Sequence, residues 1–344
     1  MIGLVLAVGL AAPTVDPDPG GRVYHAYVCA ESDDLVQLVR FGPLGLEKLE
    51  DIPVGSFPTE IEGPHGISVS PDGLHFYVSL AHGLPYGSVH KYRTGLDEWE
   101  ADVTVGMFPA TLAVSPSADL LYVVNFDLYG PMEPSTISVI ETTTMIEVAR
   151  IDTGVMPHGA RLDAAGARLY TVSMMDDELV EVDAHRFEIA RRLPLGRGHS
   201  VEPTWVTAPT PRGRVYVAGS GSDTLYEIDL GSWGVLRRFE GGRGPYNADV
   251  TPDGSRLLVT YKKDAALGIW DLETGRETRR VATTRRVPHG VVVTADGRFA
   301  FVTVEGVGGE PGSVEVYDVA RGERLAQLDV GKQAGGIALW NPGR

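Results

Sequence analysis

PHGISVSPDGLHFYVS, residues 64–79, decides the fold, because the same pattern recurs along almost the whole chain. Related copies begin at Pro157 and Pro288, as PHGARLDAAGARLYTVS and PHGVVVTADGRFAFVT. Each copy holds an alternating apolar run, a turn, and a second run built on Tyr-Val or an equivalent pair. A single unit of this kind cannot bury its apolar face alone, so neighbouring units must stack on one another.

The repeat runs seven times, with 42 to 48 residues between successive leading prolines. The units begin at Pro64, Pro109, Pro157, Pro203, Pro245, Pro288 and, without proline, Ala334. Turns such as Asp72-Gly73 suit a tight hairpin, because glycine takes positive φ without steric cost. Two further short strands complete each unit. Four antiparallel strands per unit are typical of a propeller blade, so we predict an all-β, seven-bladed β-propeller.

The first and last units predict how the ring closes. The unit from about Val23 to Gly55 supplies three strands and lacks the innermost one, which reappears at residues 336–340. We therefore expect the C-terminal strand to pair into the N-terminal blade, which removes the open edges of a linear stack. Residues 22–344 then form one propeller, preceded by a separate segment at residues 1–21.

The three phrases quoted above resemble the YVTN-type seven-bladed β-propeller family. The resemblance covers about residues 23–341. This family includes bacterial periplasmic proteins, surface-layer modules and lactonase-like propellers. The resemblance thus implies the propeller fold and a periplasmic or surface location, and it implies no particular reaction.

The N-terminal segment predicts export. Residues 2–12 are an apolar run that ends in small residues, and a Pro/Asp/Gly stretch follows at residues 13–21. The run fits the apolar core of a secretory signal and is too short to span a bilayer, so we expect no transmembrane segment. We predict a periplasmic or secreted protein. Because no Lys or Arg precedes the run, the alternative is an ordinary N-terminus and a cytoplasmic location.

Composition excludes several function classes. A formal net charge of −16 argues against a nucleic-acid partner, which requires a basic surface. The sequence has no Gly-rich phosphate loop, so we expect no nucleotide cofactor. The single cysteine, Cys29, rules out an intramolecular disulfide and a Cys-x-x-Cys-His attachment site for haem c. We expect it to be a buried structural thiol.

Histidine at the centre of three leading motifs is the sharpest indication of function. The innermost strands of a propeller line its channel, so residues at their starts surround one channel mouth. His65, His158 and His289 fall in blades two, four and seven, which is the most even spacing of three residues on seven positions. Three convergent imidazoles are the ligand set of an open metal site, and copper or zinc suits them. The alternative is that they are polar channel residues with a structural role.

Other residues on the same face supplement this candidate site. They are Glu62, His82, Asn125, Asp127, His199, Glu202, Tyr246 and Glu305. Several lie in the second-to-third-strand loops of blades two, three and seven, at residues 80–87, 125–135 and 305–312, which are longer than in the other blades. Extra loop length on a rigid scaffold commonly carries binding function, although a neutral surface insertion explains it equally.

Two classes of function follow from these residues. In the first, an exported propeller binds a small molecule or a protein partner at its channel face, with or without a metal. In the second, the mouth is an active site, either metal-dependent or a lactonase-like hydrolase or lyase. One histidine would then act as general base while Arg161, Arg243 or Arg286 holds a substrate carboxylate.

Overall fold

Seven four-stranded antiparallel sheets form the blades in a computed structural model that describes residues 21–57 and 59–341. In chain order the strands are β1 (Tyr24–Ala30), β2 (Leu35–Gly42), β3 (Gly45–Pro53), β4 (Pro64–Val69), β5 (His75–Leu80), β6 (Ser88–Arg93), β7 (Glu98–Thr104), β8 (Pro109–Val114), β9 (Leu120–Asn125), β10 (Pro134–Glu141), β11 (Ile146–Val155), β12 (Pro157–Leu162), β13 (Arg168–Ser173), β14 (Glu178–Asp183), β15 (Glu188–Pro194), β16 (Pro203–Val206), β17 (Arg214–Gly219), β18 (Thr224–Asp229), β19 (Gly234–Glu240), β20 (Pro245–Val250), β21 (Arg256–Tyr261), β22 (Ala266–Asp271), β23 (Arg276–Ala282), β24 (Pro288–Val293), β25 (Phe299–Val304), β26 (Gly312–Asp318), β27 (Glu323–Val330) and β28 (Ala334–Trp340). A 3-10 turn, Glu31–Asp33, joins β1 to β2. The predicted all-β, seven-bladed architecture is confirmed.

Blade one closes the ring. It combines β28 with β1, β2 and β3, whereas each other blade is formed by four consecutive strands. β28 runs antiparallel to β1, with Tyr27 opposite Ala338. The indole Nε1 of Trp340 donates a hydrogen bond of 3.0 Å to the Gly73 carbonyl of blade two. The predicted pairing of the C-terminal strand into the N-terminal blade is therefore confirmed.

The hydrophobic core lies between neighbouring blades. Tyr27 of blade one stacks on Phe76 of blade two with ring centroids 4.4 Å apart, and Phe76 stacks in turn on Tyr92 at 4.9 Å. Each buried ring of this size stabilises the fold by roughly 1.5–3 kcal/mol. Cys29 is fully buried in the same cluster, and burial raises the pKa of its thiol, as expected of a structural cysteine.

A left-handed residue stands immediately before the innermost strand of every blade. These residues are Gly63, Phe108, Met156, Glu202, Gly244, Val287 and Gln333. The carbonyl of each accepts a hydrogen bond, between 2.8 and 3.2 Å long, from the first residue after the second strand of the same blade. The repeat thus ties the start of its innermost strand to the loop beside it.

The innermost strand then begins with a β-bulge. In blade two the pairing with β5 shifts between Pro64 and Ile67, and the other blades show the equivalent shift. A bulge re-aims the side chain that it carries. Here it presents the second residue of the leading motif at the mouth of the channel.

The apolar run at residues 2–12, which predicts a secretory signal, lies outside the described residues. Within residues 21–57 and 59–341, no helix has the length and apolar character needed to cross a bilayer. Export of the protein stays a prediction.

Candidate functional site

Two residues from each blade meet at one mouth of the channel. One is the second residue of the leading motif, and the other is the first residue after the second strand, held by the hydrogen bond to the left-handed residue. In blade order the pairs are Gly335 and Glu31, His65 and Ala81, Ala110 and Phe126, His158 and Met174, Thr204 and Ser220, Tyr246 and Lys262, and His289 and Glu305. We call these fourteen residues the mouth set.

Four rings of the mouth set surround the channel axis. The centroid of His65 lies 6.3 Å from that of His158 and 5.6 Å from that of His289. Tyr246 completes the ring, at 5.6 Å from His158 and 4.7 Å from His289. The structure therefore brings together the three histidines of the leading motifs, and it adds Tyr246 between two of them.

Glu31 links two histidines. Its buried carboxylate contacts Nδ1 of His65 at 2.8 Å and Nε2 of His82 at 2.6 Å, while Nδ1 of His82 contacts the Tyr129 hydroxyl at 2.8 Å. Burial by itself would raise the pKa of Glu31, but His65 and His82 outweigh it and lower that pKa to about 2. The hydrogen bond with Glu31 raises the pKa of His82. Glu31 is thus an anion beneath the mouth at any physiological pH.

His158 is a neutral imidazole whose tautomer follows from its partners. Its Nδ1 lies 2.8 Å from the Thr204 carbonyl oxygen, which only accepts, so Nδ1 carries the proton. Its Nε2 is then an acceptor, and the Tyr246 hydroxyl donates to it at 3.2 Å. Burial, followed by the nearby charge of His65, lowers the pKa of His158 to about 3.

His289 faces the charged side of the mouth. Its Nε2 lies 3.9 Å from Oε1 of Glu305, and the same oxygen accepts a 2.8 Å hydrogen bond from Lys262. The Lys262 ammonium also lies 3.6 Å from the ring centroid of Tyr246. Burial first, and then the charge of Lys262, lowers the pKa of His289. Its Nδ1 is buried and has no hydrogen-bond partner among the described residues.

The opposite side of the mouth is apolar. The Phe108 ring meets His65 edge-on at 5.1 Å, and Phe126 meets His158 at 5.0 Å. Both phenylalanines belong to a cluster with Met107, Met156, Met174 and Met175. The mouth thus has an apolar half at blades three and four and a charged half at blades one, six and seven.

The other predicted residues fall in different places. His82, Tyr246 and Glu305 contact the mouth, and Arg161 lies deeper in the channel with its guanidinium 4.4 Å from the Trp205 ring centroid. His199 and Arg286 are exposed, and Arg243 is exposed and paired with Asp264 at 2.8 Å. Of the three arginines considered as carboxylate ligands, the structure brings one, Arg161, into the channel.

Asn125 is not a loop residue as expected. It ends β9, fully buried, and its amide donates to Thr136 and Ser138 at 3.0 Å while its oxygen accepts from the Gly106 backbone. These bonds hold blade three together.

The remaining acidic candidates stabilise loops. The Glu62 carboxylate accepts from the Phe57 backbone at 3.0 Å and from that of Ser56. Glu202 is a left-handed residue whose carbonyl accepts from Ser220, and Asp127 is a left-handed residue in the blade three loop. None of these three contributes a contact to the four rings among the described residues.

Sequence reasoning missed Glu31 and Lys262, although the repeat contains the information needed to find them. Both stand at the same position as Glu305, directly after the second strand of their blade. Alignment of the Tyr-Val strands places Glu31 four residues after Tyr27 and Glu305 four residues after Phe301. Comparison of this position across all seven blades is needed to find them, because in most blades no long loop marks it.

Among residues 21–57 and 59–341, no group of three or more His, Cys, Asp or Glu is arranged to hold a metal ion as it stands. The three histidines converge, but their nitrogens do not share one ligand position. A metal would have to draw them closer together.

Comparison with solved structures finds the same fold in a chain of hydrazine synthase from Kuenenia stuttgartiensis. The TM-score is 0.68, with 18% sequence identity, over 83% of this chain and 93% of that chain. At such an identity the likeness shows the fold alone. No protein-family model and no curated protein matches the sequence, so membership of the YVTN-type family stays a prediction.

Proposed function

We propose that the protein binds a ligand at the mouth of its channel, and that the ligand includes one copper or zinc ion held by His65, His158 and His289. The orientation of the imidazoles supports this most directly. Nδ1 of His65 bonds the Glu31 carboxylate, and Nδ1 of His158 bonds the Thr204 carbonyl. Metal-ligating histidines commonly make such a bond with the nitrogen that faces away from the metal. Nε2 of His65 is then left for a ligand, whereas Nε2 of His158 becomes available only when the Tyr246 hydroxyl releases it.

One shared ion would draw the three rings closer together, and His158 and His289, which have Tyr246 between them, would have to approach each other as well. Imidazoles bound to one tetrahedral zinc ion, with Zn–N bonds of about 2.0–2.1 Å, have centroids roughly 5 Å apart. The observed separations of 5.6 and 6.3 Å from His65 exceed this by about an ångström. Tyr246 would have to release Nε2 of His158, after which its hydroxyl becomes available as a further ligand.

Charge at the mouth favours a cation. Glu31 and Glu305 lie next to His65 and His289, and one lysine, Lys262, opposes them. His158 and His289 have lowered pKa values, so protons compete weakly for their ligand nitrogens.

Catalysis at the mouth is the second candidate, and the tautomer of His158 favours it. Its Nε2 is a neutral proton acceptor that already receives a hydrogen bond from a hydroxyl, that of Tyr246. A general base needs this geometry towards a water or a substrate hydroxyl, and a substrate would also have to raise the pKa of His158, which burial lowers to about 3. A hydrolase or lyase of the lactonase-like class would use it in that way.

Metal analysis of protein purified without a histidine tag tests the proposal. We expect one copper or zinc ion per chain, and at least a hundredfold weaker binding in His158→Ala or His289→Ala, because each removes a ligand. Glu31→Gln should weaken binding about 10–100-fold, since it alters the partner of a ligand.

His185→Ala is the matched control, because His185 lies in an exposed turn of blade four. It should bind metal as the unaltered protein does. The metal proposal fails if titrated zinc and copper bind in less than stoichiometric amounts, or if the mouth variants bind them as tightly as the control does. Melting temperatures of all variants establish that they are folded.

A further inference from the structure

A small cavity lies on the channel axis, directly inside the ring of histidines. Its volume is about 50 Å³, and His65, His158 and His289 form part of its lining together with Arg161 and Trp205. One water needs roughly 10–15 Å³ by the same kind of measure, so the space suits a ligand of about three or four heavy atoms. The cavity is therefore too small for a typical organic substrate and large enough for a small ion.

Four side chains that line this cavity carry a buried polar atom without a hydrogen-bond partner among the described residues. The atoms are Oγ1 of Thr111, Nε1 of Trp205, Oδ1 of Asn247 and Nδ1 of His289, and each residue is more than nine-tenths buried. An unpaired buried polar group costs about 1–3 kcal/mol, so such groups are rare in native proteins. Concentrated around one cavity, they indicate that a polar partner belongs there.

Three of these residues occupy the same position in different copies of the repeat. Thr111, Trp205 and Asn247 are the third residues of the leading motifs in blades three, five and six. In blades one, two, four and seven the same position is glycine. At Gly66, for example, the Cβ of any other residue would lie 2.5 Å from the Ala110 carbonyl oxygen of the next blade, which is too close for a side chain. Only three blades therefore supply a polar side chain to this level of the channel.

The chemistry of the lining favours an anion. Trp205 Nε1 is only a donor, Thr111 can donate, and the Arg161 guanidinium has five N–H groups, of which one bonds the Ala160 carbonyl at 2.9 Å. The unpaired atom of Asn247 is its amide oxygen, an acceptor, and rotation of the amide by 180° would present its NH₂ group as a donor instead. No Asp or Glu lines the cavity, although the whole chain carries a net charge of −16.

The carboxylate whose charge acts on Arg161 is that of Asp249. Its two oxygens accept from the backbone of Val250 at 2.9 Å and of Val293 at 2.8 Å. Asp249 acts on the Arg161 guanidinium through its charge, and among the described residues no direct ion pair joins the two. The guanidinium, stacked on Trp205, thus keeps most of its donors for another partner.

We infer that this axial cavity binds a small planar oxyanion, of the size of formate or acetate, between the Arg161 guanidinium and the Trp205 indole N–H. The planar Arg161 guanidinium and the Trp205 indole N–H can each donate to one of the two oxygens of a carboxylate. Thr111 and His289 supply further hydrogen bonds at the edge of the anion. The site goes beyond the proposed metal function and does not depend on it.

Formate titration of metal-free, ¹⁵N-labelled protein tests the inference. The chain has five tryptophans, so five indole N–H signals are expected, and Trp205→Phe identifies the one from Trp205. At constant ionic strength, formate should shift this signal saturably. Arg161→Gln should raise the dissociation constant for formate about tenfold or more, because it removes a charge-assisted hydrogen bond.

Arg286→Gln is the control, since Arg286 is an exposed arginine on the face of the mouth, and it should leave formate binding unchanged. Thr111→Val, which keeps the shape of the side chain, should weaken binding by a smaller factor and guards against a misfolded Arg161 variant. If formate, acetate and nitrate all fail to shift the Trp205 signal saturably, the cavity holds only water and the inference is wrong. Because the protein is free of metal, this result is independent of the metal test.

Discussion

Glu31 is a buried carboxylate that acts on two histidines at the mouth. It is 3% exposed, yet it is an anion because His65 and His82 both hydrogen-bond to it. An isolated buried carboxylate would take up a proton. The charge of Glu31 therefore depends on the two imidazoles, and their orientation depends on Glu31.

This mutual dependence predicts how stability varies with pH. The pKa of Glu31 is lowered to about 2 by folding, so its contribution is present above its unfolded value near 4.5 and is lost as pH falls towards 2. The pKa of His82 is raised from 6.5, so its contribution is present below 6.5 and is lost as pH rises through the folded value. Glu31→Gln should lower the free energy of unfolding by about 1.5–3 kcal/mol, most strongly between about pH 4.5 and 6.5.

Urea unfolding across this range measures the effect. Glu98→Gln is the control, because Glu98 is an exposed residue of β7, and its small effect should not vary with pH in this way. If Glu31→Gln lowers the free energy of unfolding by the same amount at all pH values, the contact of Glu31 with His65 and His82 is not an interaction of charged groups.

Only some residues of the mouth can be recognised in the sequence without a position-by-position comparison of the repeats. The three histidines stand out because the same tripeptide occurs three times. Thr111, Trp205 and Asn247 do not, since each replaces a glycine with a different residue. Their shared role is visible only when all seven leading motifs are aligned. Contacts across the channel, such as Tyr246 with His158, join residues 88 positions apart and follow from ring geometry that no local pattern contains.

At the scale of the element, the left-handed residue before each innermost strand is the device that assembles the mouth. Its carbonyl holds the residue after the second strand in place in all seven blades. Five of these residues are not glycine, and a left-handed non-glycine residue costs roughly 1–2 kcal/mol. The sequence does not reveal this position, because its five non-glycine residues share no side-chain property: Phe108, Met156, Glu202, Val287 and Gln333.

Gly63→Ala tests how far this turn positions the site. Gly63 has a φ of +65°, and a Cβ there would lie 1.8 Å from Cδ2 of His82. Gly213 has a φ of +68° with nothing within 4 Å of such a Cβ, so Gly213→Ala carries the conformational cost alone. We expect Gly63→Ala to lose about 1.5–3 kcal/mol more, because it displaces His82 from Glu31.

The extra loss should disappear when both substitutions are measured in a His82→Ala background, where no imidazole is displaced. Equal losses for Gly63→Ala and Gly213→Ala in the unaltered protein would show that His82 is not held by this turn. Chemical denaturation at one pH is sufficient for the comparison.

At the scale of the whole molecule, the sequence predicted the architecture because seven copies of one pattern leave few alternatives. Seven Tyr-Val strands indicate seven blades, and the missing innermost strand of blade one indicates that the C-terminal strand closes the ring. The repeat does not predict the hydrogen bond by which Trp340 fastens the closing strand to blade two. Trp340 crosses from blade one to the Gly73 turn of blade two, and this contact depends on how the blades pack.

Removal of residues 334–344 tests the importance of closure. The deletion takes away the buried side chains of Ala334 and Ile337 and the Trp340 anchor, and it exposes the edge of β1. Loss of Ile337, at roughly 1.5–3 kcal/mol, of the partly buried Leu339 and Trp340, and of the strand pairing along β1 removes a large part of the 5–15 kcal/mol that stabilises a typical protein. We therefore expect the truncated chain to lose cooperative thermal unfolding. Removal of residues 342–344 alone should leave the melting temperature unchanged.

In a second variant, residues 334–341 are moved ahead of Arg22 and joined to it by an Asp-Gly turn, which restores the order of strands found in the other blades. This variant should recover cooperative unfolding, whereas a truncated chain that melts at the temperature of the full-length protein would show that the ring does not need β28.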